Sequence, residues 1–252
     1  MIISHKNKYI FLRCRKTGSS SLALHLASFL GPFDVMIGMV GRAFDHGIIP
    51  NYRFYHETLN QRGLRELSSR FTDDIETASD LHLVLDKINI ENYESVIGKK
   101  PVHPHALDVQ DAFPDPWRDY FKFCFVRNPY ERVVSDYIWR IESRARKIGF
   151  RDFLLRMLNE DFSGNAIDAH YDNWPIYTIG EKVAVDYIGR YEHLHSDFNE
   201  VLAKLNLPIP NFLNQEKKIK NYDYRTYYSS TDVELVAKIF RKEIDHFQYQ
   251  FE

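Results

Sequence analysis

Two short stretches of this chain gather cationic and hydroxyl side chains at spacings suited to holding phosphate oxygens. The first is Cys14-Arg15-Lys16-Thr17-Gly18-Ser19-Ser20-Ser21, which joins an aromatic and β-branched run at residues 9–12 to a helical pattern of Leu22, Leu24, Leu26, Phe29 and Leu30. A chain that turns from strand into helix presents backbone N–H groups without helical acceptors at the positive end of the helix dipole, and an anion fits there. Gly18 lets the backbone approach closely, the hydroxyls of Thr17, Ser19, Ser20 and Ser21 add donors, and Lys16, beside Arg15, brings a full charge. The plainer alternative is a serine-rich turn that only caps a helix. The second stretch ends the strand-like run at residues 120–126 with Arg127-Asn128-Pro129. Proline disfavours helical geometry at the residue before it and can open the next helix. Arg127 offers a planar fork to phosphate oxygens, and Ser135, about two helical turns on, can offer a hydroxyl to the same group.

In a nucleotide kinase the loop lysine follows the glycines, as G-x-x-x-x-G-K-[ST]. Here it precedes them, and Lys16-Thr17-Gly18-Ser19 resembles the 5′-phosphosulfate loop of sulfotransferases that use 3′-phosphoadenosine-5′-phosphosulfate (PAPS). The run Phe123-Cys124-Phe125-Val126-Arg127-Asn128-Pro129-Tyr130-Glu131-Arg132-Val133-Val134-Ser135-Asp136-Tyr137 resembles the second signature of that family. Asp186-Tyr187-Ile188-Gly189-Arg190-Tyr191-Glu192 within residues 184–205, and Asp223-Tyr224-Arg225-Thr226-Tyr227-Tyr228, resemble its bacterial and Golgi carbohydrate group. Residues 32–90 lie outside most of the likeness. Arg15 stands where the family commonly has proline.

The resemblance implies a P-loop-like α/β fold, PAPS as sulfuryl donor, and 3′-phosphoadenosine-5′-phosphate (PAP) as product. It places Lys16 at the bridging oxygen of the leaving phosphate, and Arg127 and Ser135 at the 3′-phosphate. The segment Lys100-Pro101-Val102-His103-Pro104-His105-Ala106 resembles the histidine segment of carbohydrate sulfotransferases, which makes His105 the first choice for the base and His103 the second. An imidazole titrates near neutrality, as such a base should. The acceptor implied is a hydroxyl, of a carbohydrate before other classes. Transfer of this kind is expected in line, with negative charge building on the leaving oxygen, and the scheme requires no metal. A P-loop kinase, and a PAP-binding scaffold without the base, stay open as alternatives.

These residues need a frame to position them. The 252 residues, 44% hydrophobic and without a linker-like segment, can bury one sizeable core, so residues 1–252 are expected to form a single domain in which 32–90 is the variable, acceptor-binding part. Strands expected at 9–12, 82–85, 96–97, 120–126 and 185–189 alternate with helices at 22–30, 59–71, 130–146, 195–205 and 231–247, the last capped by Thr231 or Asp232. Such alternation implies a mainly parallel sheet flanked by helices. Residues 33–60 are expected in loops or short pieces.

The net charge of −2 conceals two basic segments: residues 1–30 hold five Lys or Arg and no acid, and residues 120–151 hold eight against three acids. Both coincide with the motifs. Arg140, Arg144, Arg146 and Lys147 could meet an acidic glycan or equally form a solvated helix face, and Tyr171, Trp174 and Tyr177 could stack on sugar faces, although core packing is the more usual fate of such residues. No nucleic-acid partner is expected, and no apolar run approaches the roughly 20 residues of a membrane span. Cys14 and Cys124 read as a buried, reduced pair suited to the cytoplasm. The oligomeric state is not legible.

Overall fold

A computed structural model describes residues 1–70, 75, 77–142, 146–165, 167, 171–209 and 223–252. The chain opens with β1 (Ile2–Ser4), β2 (Tyr9–Phe11), α1 (Ser19–Ala27) and β3 (Val35–Met36), followed by α2 (Val40–Asp45), α3 (Tyr52–Thr58), α4 (Gln61–Arg70) and α5 (Ala78–Ile97). Next come α6 (Ala106–Ala112), α7 (Pro114–Asp119), β4 (Phe121–Val126), α8 (Pro129–Arg140), α9 (Phe150–Leu158) and α10 (Trp174–Tyr177). The rest comprises β5 (Thr178–Ile179), β6 (Lys182–Val183), β7 (Tyr187–Arg190), α11 (Leu194–Lys204), α12 (Ser230–Ile239) and α13 (Arg241–Phe247).

The central sheet has the order β3-β1-β2-β4-β7. As expected it is mainly parallel: β2, β4 and β7 pair in parallel, and β1 alone runs against its neighbours β2 and β3. Alternation along the strands divides the core into two layers. Ile3, Ile10, Leu12, Cys124 and Val126 point to the face covered by α5, α6 and α10, through Tyr93, Val109 and Ile176. Ile2, Tyr9, Phe11, Phe123 and Phe125 point to the face covered by α1 and α11, through Leu22, Leu26, Phe198 and Val201. With both faces covered, the central strands β2 and β4 are apolar but for Lys122, as strands buried on both faces are. Cys14 and Cys124 are free thiols buried in this frame.

Several expectations need correcting. Residues 82–85 and 96–97 are not strands; both belong to the 20-residue α5, where Thr77 and Asp80 form a capping box. Among its buried positions His82, Leu85, Asn89, Tyr93 and Ile97 recur every three or four residues, a period too long to show in a four-residue window. Strand β1 escaped notice because three residues carry no readable alternation. Helix α8 ends at Arg140 rather than 146, and residues 143–145 lie outside those described. The C-terminal helix is two, broken at Phe240, and its cap is Ser229, whose N–H and hydroxyl both meet Asp232.

The pairing of β7 with β4 sets Gly189 opposite Phe125. A Cβ at Gly189 would lie 2.3 Å from Phe125 Cε1, in a ring that is fully buried. Gly189→Ala is therefore expected to destabilise the fold by about 1–3 kcal/mol, read from the denaturant midpoint.

Candidate active site

The first loop leaves β2 and enters α1 through two left-handed residues, Lys16 at φ 59° and Gly18 at φ 72°. A Cβ on Gly18 would lie 3.1 Å from Leu194 Cδ2 and 3.3 Å from the Tyr191 ring, so both conformation and space call for glycine. Thr17 Oγ1 and Ser19 Oγ donate to the Cys14 carbonyl at 3.1 and 2.9 Å. Their protons are turned inward, closing the loop, rather than offered outward as the sequence suggested. Ser20 Oγ accepts from Arg13 at 3.2 Å, and Ser21 is exposed on the helix. The backbone N–H groups of Lys16, Thr17, Gly18, Ser19 and Ser20 meet no acceptor among the described residues. They form a row of donors at the start of a nine-residue helix, which suits an anion.

Arg15 does not reach toward that row. Asn173 clasps its main chain, accepting from the Arg15 N–H at 2.9 Å and donating to its carbonyl at 3.1 Å. Its guanidinium meets Asp136 at 3.3 Å, and Arg140 meets the other oxygen of Asp136 at 3.0 Å. All three are buried. Arg15 thus fastens the loop to α8, a task proline could not perform, and Arg140 is engaged there rather than offered to a glycan.

Arg127, at the end of β4, brings the second motif against the first. Its NH1 donates to the Lys16 carbonyl at 3.3 Å, its NH2 pairs with Glu131, and its plane lies 4.0 Å over the Tyr191 ring. Asn128 caps α8 through Tyr130 N–H at 3.1 Å and donates its own N–H to Glu192 at 2.6 Å. Glu131, Ser135 and Trp139 recur every four residues and share one face of α8. Glu131 meets Arg127 at one end of this face, and at the other the Trp139 ring lies 5.4 Å from Lys16 Nζ. Ser135 stands between them, partly exposed, and its hydroxyl has no partner among the described residues.

The cations are crowded. Burial brings the Lys16 ammonium down to about 8; Asp136 opposes the shift, while Arg127, Arg15 and Arg140 add to it. Lys100, a left-handed residue at φ 68°, is lowered to about 8 by burial and by the same Arg15 and Arg140. His103 Nδ1 lies 2.6 Å from the Arg13 carbonyl. A carbonyl only accepts, so Nδ1 carries the proton and Nε2 holds the lone pair of the neutral ring. Burial, then Arg13 and Arg15, hold that imidazole well below its ordinary range. His105 is the N-cap residue of α6 and makes no side-chain cap bond.

A model of the sulfotransferase family matches residues 1–250. The chain belongs to that family. Among similar proteins, an uncharacterized protein of Archaeoglobus fulgidus is 38% identical over 95 residues, which span 35% of this sulfotransferase and 70% of the relative. Carbohydrate sulfotransferase 14 of Danio rerio is 30% identical over 119 residues, 36% of this chain, and the human protein of that name is 30% identical over 115 residues. The matched stretches span 31% and 30% of those two proteins. The crystal structure of a sulfotransferase from Alicyclobacillus acidocaldarius aligns over 97% of this chain and 96% of its own, with a TM-score of 0.42 and 17% identity.

Family membership supports a transferase that moves sulfuryl groups. Several residues of this sulfotransferase's site carried no signal in its sequence. Asn173 lies 158 positions from the Arg15 it clasps, and nothing local marks it. Asp136 and Trp139 sit inside or beside the second signature and could have been suspected from their position on its helix. Of the aromatic trio weighed between sugar faces and the core, Trp174 and Tyr177 are core residues, 7% and 0% exposed, and Tyr171 packs on Phe240. Arg146 donates to the Gly164 carbonyl at 3.5 Å, and Arg144 lies outside the described residues. Among the described residues no helix is long and apolar enough to cross a membrane.

Proposed function

We propose that this sulfotransferase takes its sulfuryl group from PAPS and passes it in line to a hydroxyl of a carbohydrate, releasing PAP. The observation that carries this reading is the contact between Arg127 and the Lys16 carbonyl, which makes the two anion-binding loops adjoining walls of one site. A single nucleotide with phosphates at both ends can then span them. The free N–H row from Lys16 to Ser20 receives the 5′-phosphosulfate, and Arg127 with the Ser135 hydroxyl receives the 3′-phosphate. Thr17 and Ser19 shape the cradle, and Arg15 anchors it.

In the transfer, the acceptor oxygen attacks sulfur as the bond from sulfur to the bridging oxygen breaks. Lys16 offsets the charge that builds on the departing phosphate. His103 is the better base on geometry, reversing the order suggested by the sequence: its Nδ1–H bond to Arg13 leaves Nε2 ready to accept the acceptor's proton, and its lowered basicity keeps it unprotonated at neutral pH. Residues 32–90 form the acceptor side. They fold into β3 and α2 to α5, with Gly38 so close to Val102 that an added Cβ would lie 2.8 Å from it, next to the histidine segment. The carbohydrate acceptor is suggested by the carbohydrate sulfotransferases among the relatives, and a cytoplasmic setting by the two free, buried thiols.

Transfer of radiolabel from PAPS to a panel of sugars, lipids and tyrosyl peptides tests the whole reading. Labelled sugar supports it; ATP turnover with Mg²⁺ would favour the kinase alternative, and PAP binding without transfer to any acceptor the scaffold. His103→Ala is expected to lower kcat by about 10²-fold or more, and His105→Ala by much less. Equal losses would remove the distinction between the two histidines.

A dependence on pH follows from the lysines. The ammonium of Lys16 must be charged to serve, so kcat/KM for the donor should fall about tenfold per pH unit above about 8, the value to which burial and neighbouring arginines bring it. Lys16→Arg should move this limb upward and Lys100→Arg should not; the opposite pattern would assign the limb to Lys100.

A further inference from the structure

Trp139 is an exposed aromatic residue beside Lys16. Its side chain is 46% exposed, whereas Trp117 and Trp174 are each 7% exposed and belong to the core. It stands four residues beyond Ser135 on the face of α8 that also presents Glu131 to Arg127, which puts it at the Lys16 end of the site. Lys16 Nζ lies 5.4 Å from its ring centre and the Arg140 guanidinium 5.3 Å. An indole with close to half its surface in solvent is uncommon in a folded chain, and here it adjoins the ammonium that neutralises the leaving oxygen. Whatever hydroxyl attacks the sulfur must approach beside that ammonium, and hence beside this ring.

We infer that Trp139 is an acceptor-positioning residue whose indole face stacks on a pyranose ring of the acceptor. The chemistry favours a sugar: the apolar C–H face of a pyranose covers an aromatic plane, while its hydroxyls remain directed at the polar groups around it. The donor's phosphates do not compete for the ring, because they are taken by the N–H row and by Arg127, at the other end of the α8 face. This inference rests on the carbohydrate reading above and adds the residue that selects for it.

Acceptor KM, kcat and PAP affinity of Trp139→Ala and Trp139→Phe decide the matter, with chondroitin hexasaccharide and cellohexaose as probes and a tyrosyl peptide as the non-sugar control. Removing the ring is expected to raise the KM of the saccharide that wild type uses about tenfold, with kcat and PAP affinity changed less than twofold, and phenylalanine should restore part of the loss. In the PAP complex, that saccharide should also shield the exposed indole fluorescence from acrylamide in wild type and lose this effect in Trp139→Ala. Saccharide transfer with an unchanged KM in Trp139→Ala overturns the inference and leaves the carbohydrate reading intact. A fall in PAP affinity reassigns the ring to the nucleotide and overturns it too. If wild type uses the peptide and neither saccharide, the carbohydrate reading falls and this inference with it.

Discussion

Replacing Lys16 by alanine is expected to lower kcat by about 10³-fold while weakening PAP binding less than about tenfold. The asymmetry follows from where charge changes. The row of backbone donors from Lys16 to Ser20 remains when the side chain is removed, so the ground-state grip on the 5′-phosphate is largely kept. The ammonium matters most when the bridging oxygen departs, and a burial that lowers it to about 8 shows how little solvent would be present to take its place. Lys16→Arg separates charge from geometry, since the guanidinium keeps the charge but cannot place it as a compact point. Single-turnover rates with PAPS, beside calorimetric PAP affinities, check the prediction. Wild-type turnover in Lys16→Ala would remove the side chain from the chemistry.

The second large effect is expected in binding rather than turnover. Arg127→Ala should weaken PAP affinity by about a hundredfold, because two charge-assisted hydrogen bonds to one phosphate are each worth about 1.5–3 kcal/mol before losses elsewhere are counted. Arg127 is 5% exposed and also holds the Lys16 carbonyl, Glu131 and the Tyr191 face, so alanine will disturb the loop as well. Ser135→Ala supplies the cleaner companion: it should cost about tenfold in PAP affinity with the melting temperature unchanged, since its hydroxyl supports nothing else among the described residues. Adenosine-5′-phosphosulfate, which lacks the 3′-phosphate, should lose far less affinity than PAP in Arg127→Ala, only what the disturbed loop costs. A loss of equal size for both nucleotides would make Arg127 a structural residue only.

The sequence made the two loops legible because each combines a strand end, a turn and a helix start within a dozen residues, where local rules decide conformation. It was equally clear about β4, whose alternation is carried by aromatic residues across six positions. It failed where the deciding contacts are distant or the windows short. Strand β1 owes its existence to pairing with β2 and β3, and a short apolar stretch of α5 imitated a strand until its neighbours were counted. In the site, the role of Arg15 depends on Asp136 and Asn173, and the contrast between His103 and His105 depends on the Arg13 carbonyl. None of these can be read from spacing. Residues 32–90 resisted because α2 and α3 are only six and seven residues long and are held by contacts to the longer α5, through Val40, Phe54 and Leu85.

Diffraction from a crystal of the PAP complex tests most directly whether one nucleotide bridges both loops. The 5′-phosphate is expected on the N–H groups from Lys16 to Ser20, with the 3′-phosphate on the Arg127 guanidinium and the Ser135 hydroxyl. A nucleotide that leaves either loop empty, or that carries its 3′-phosphate away from Arg127, would contradict the account.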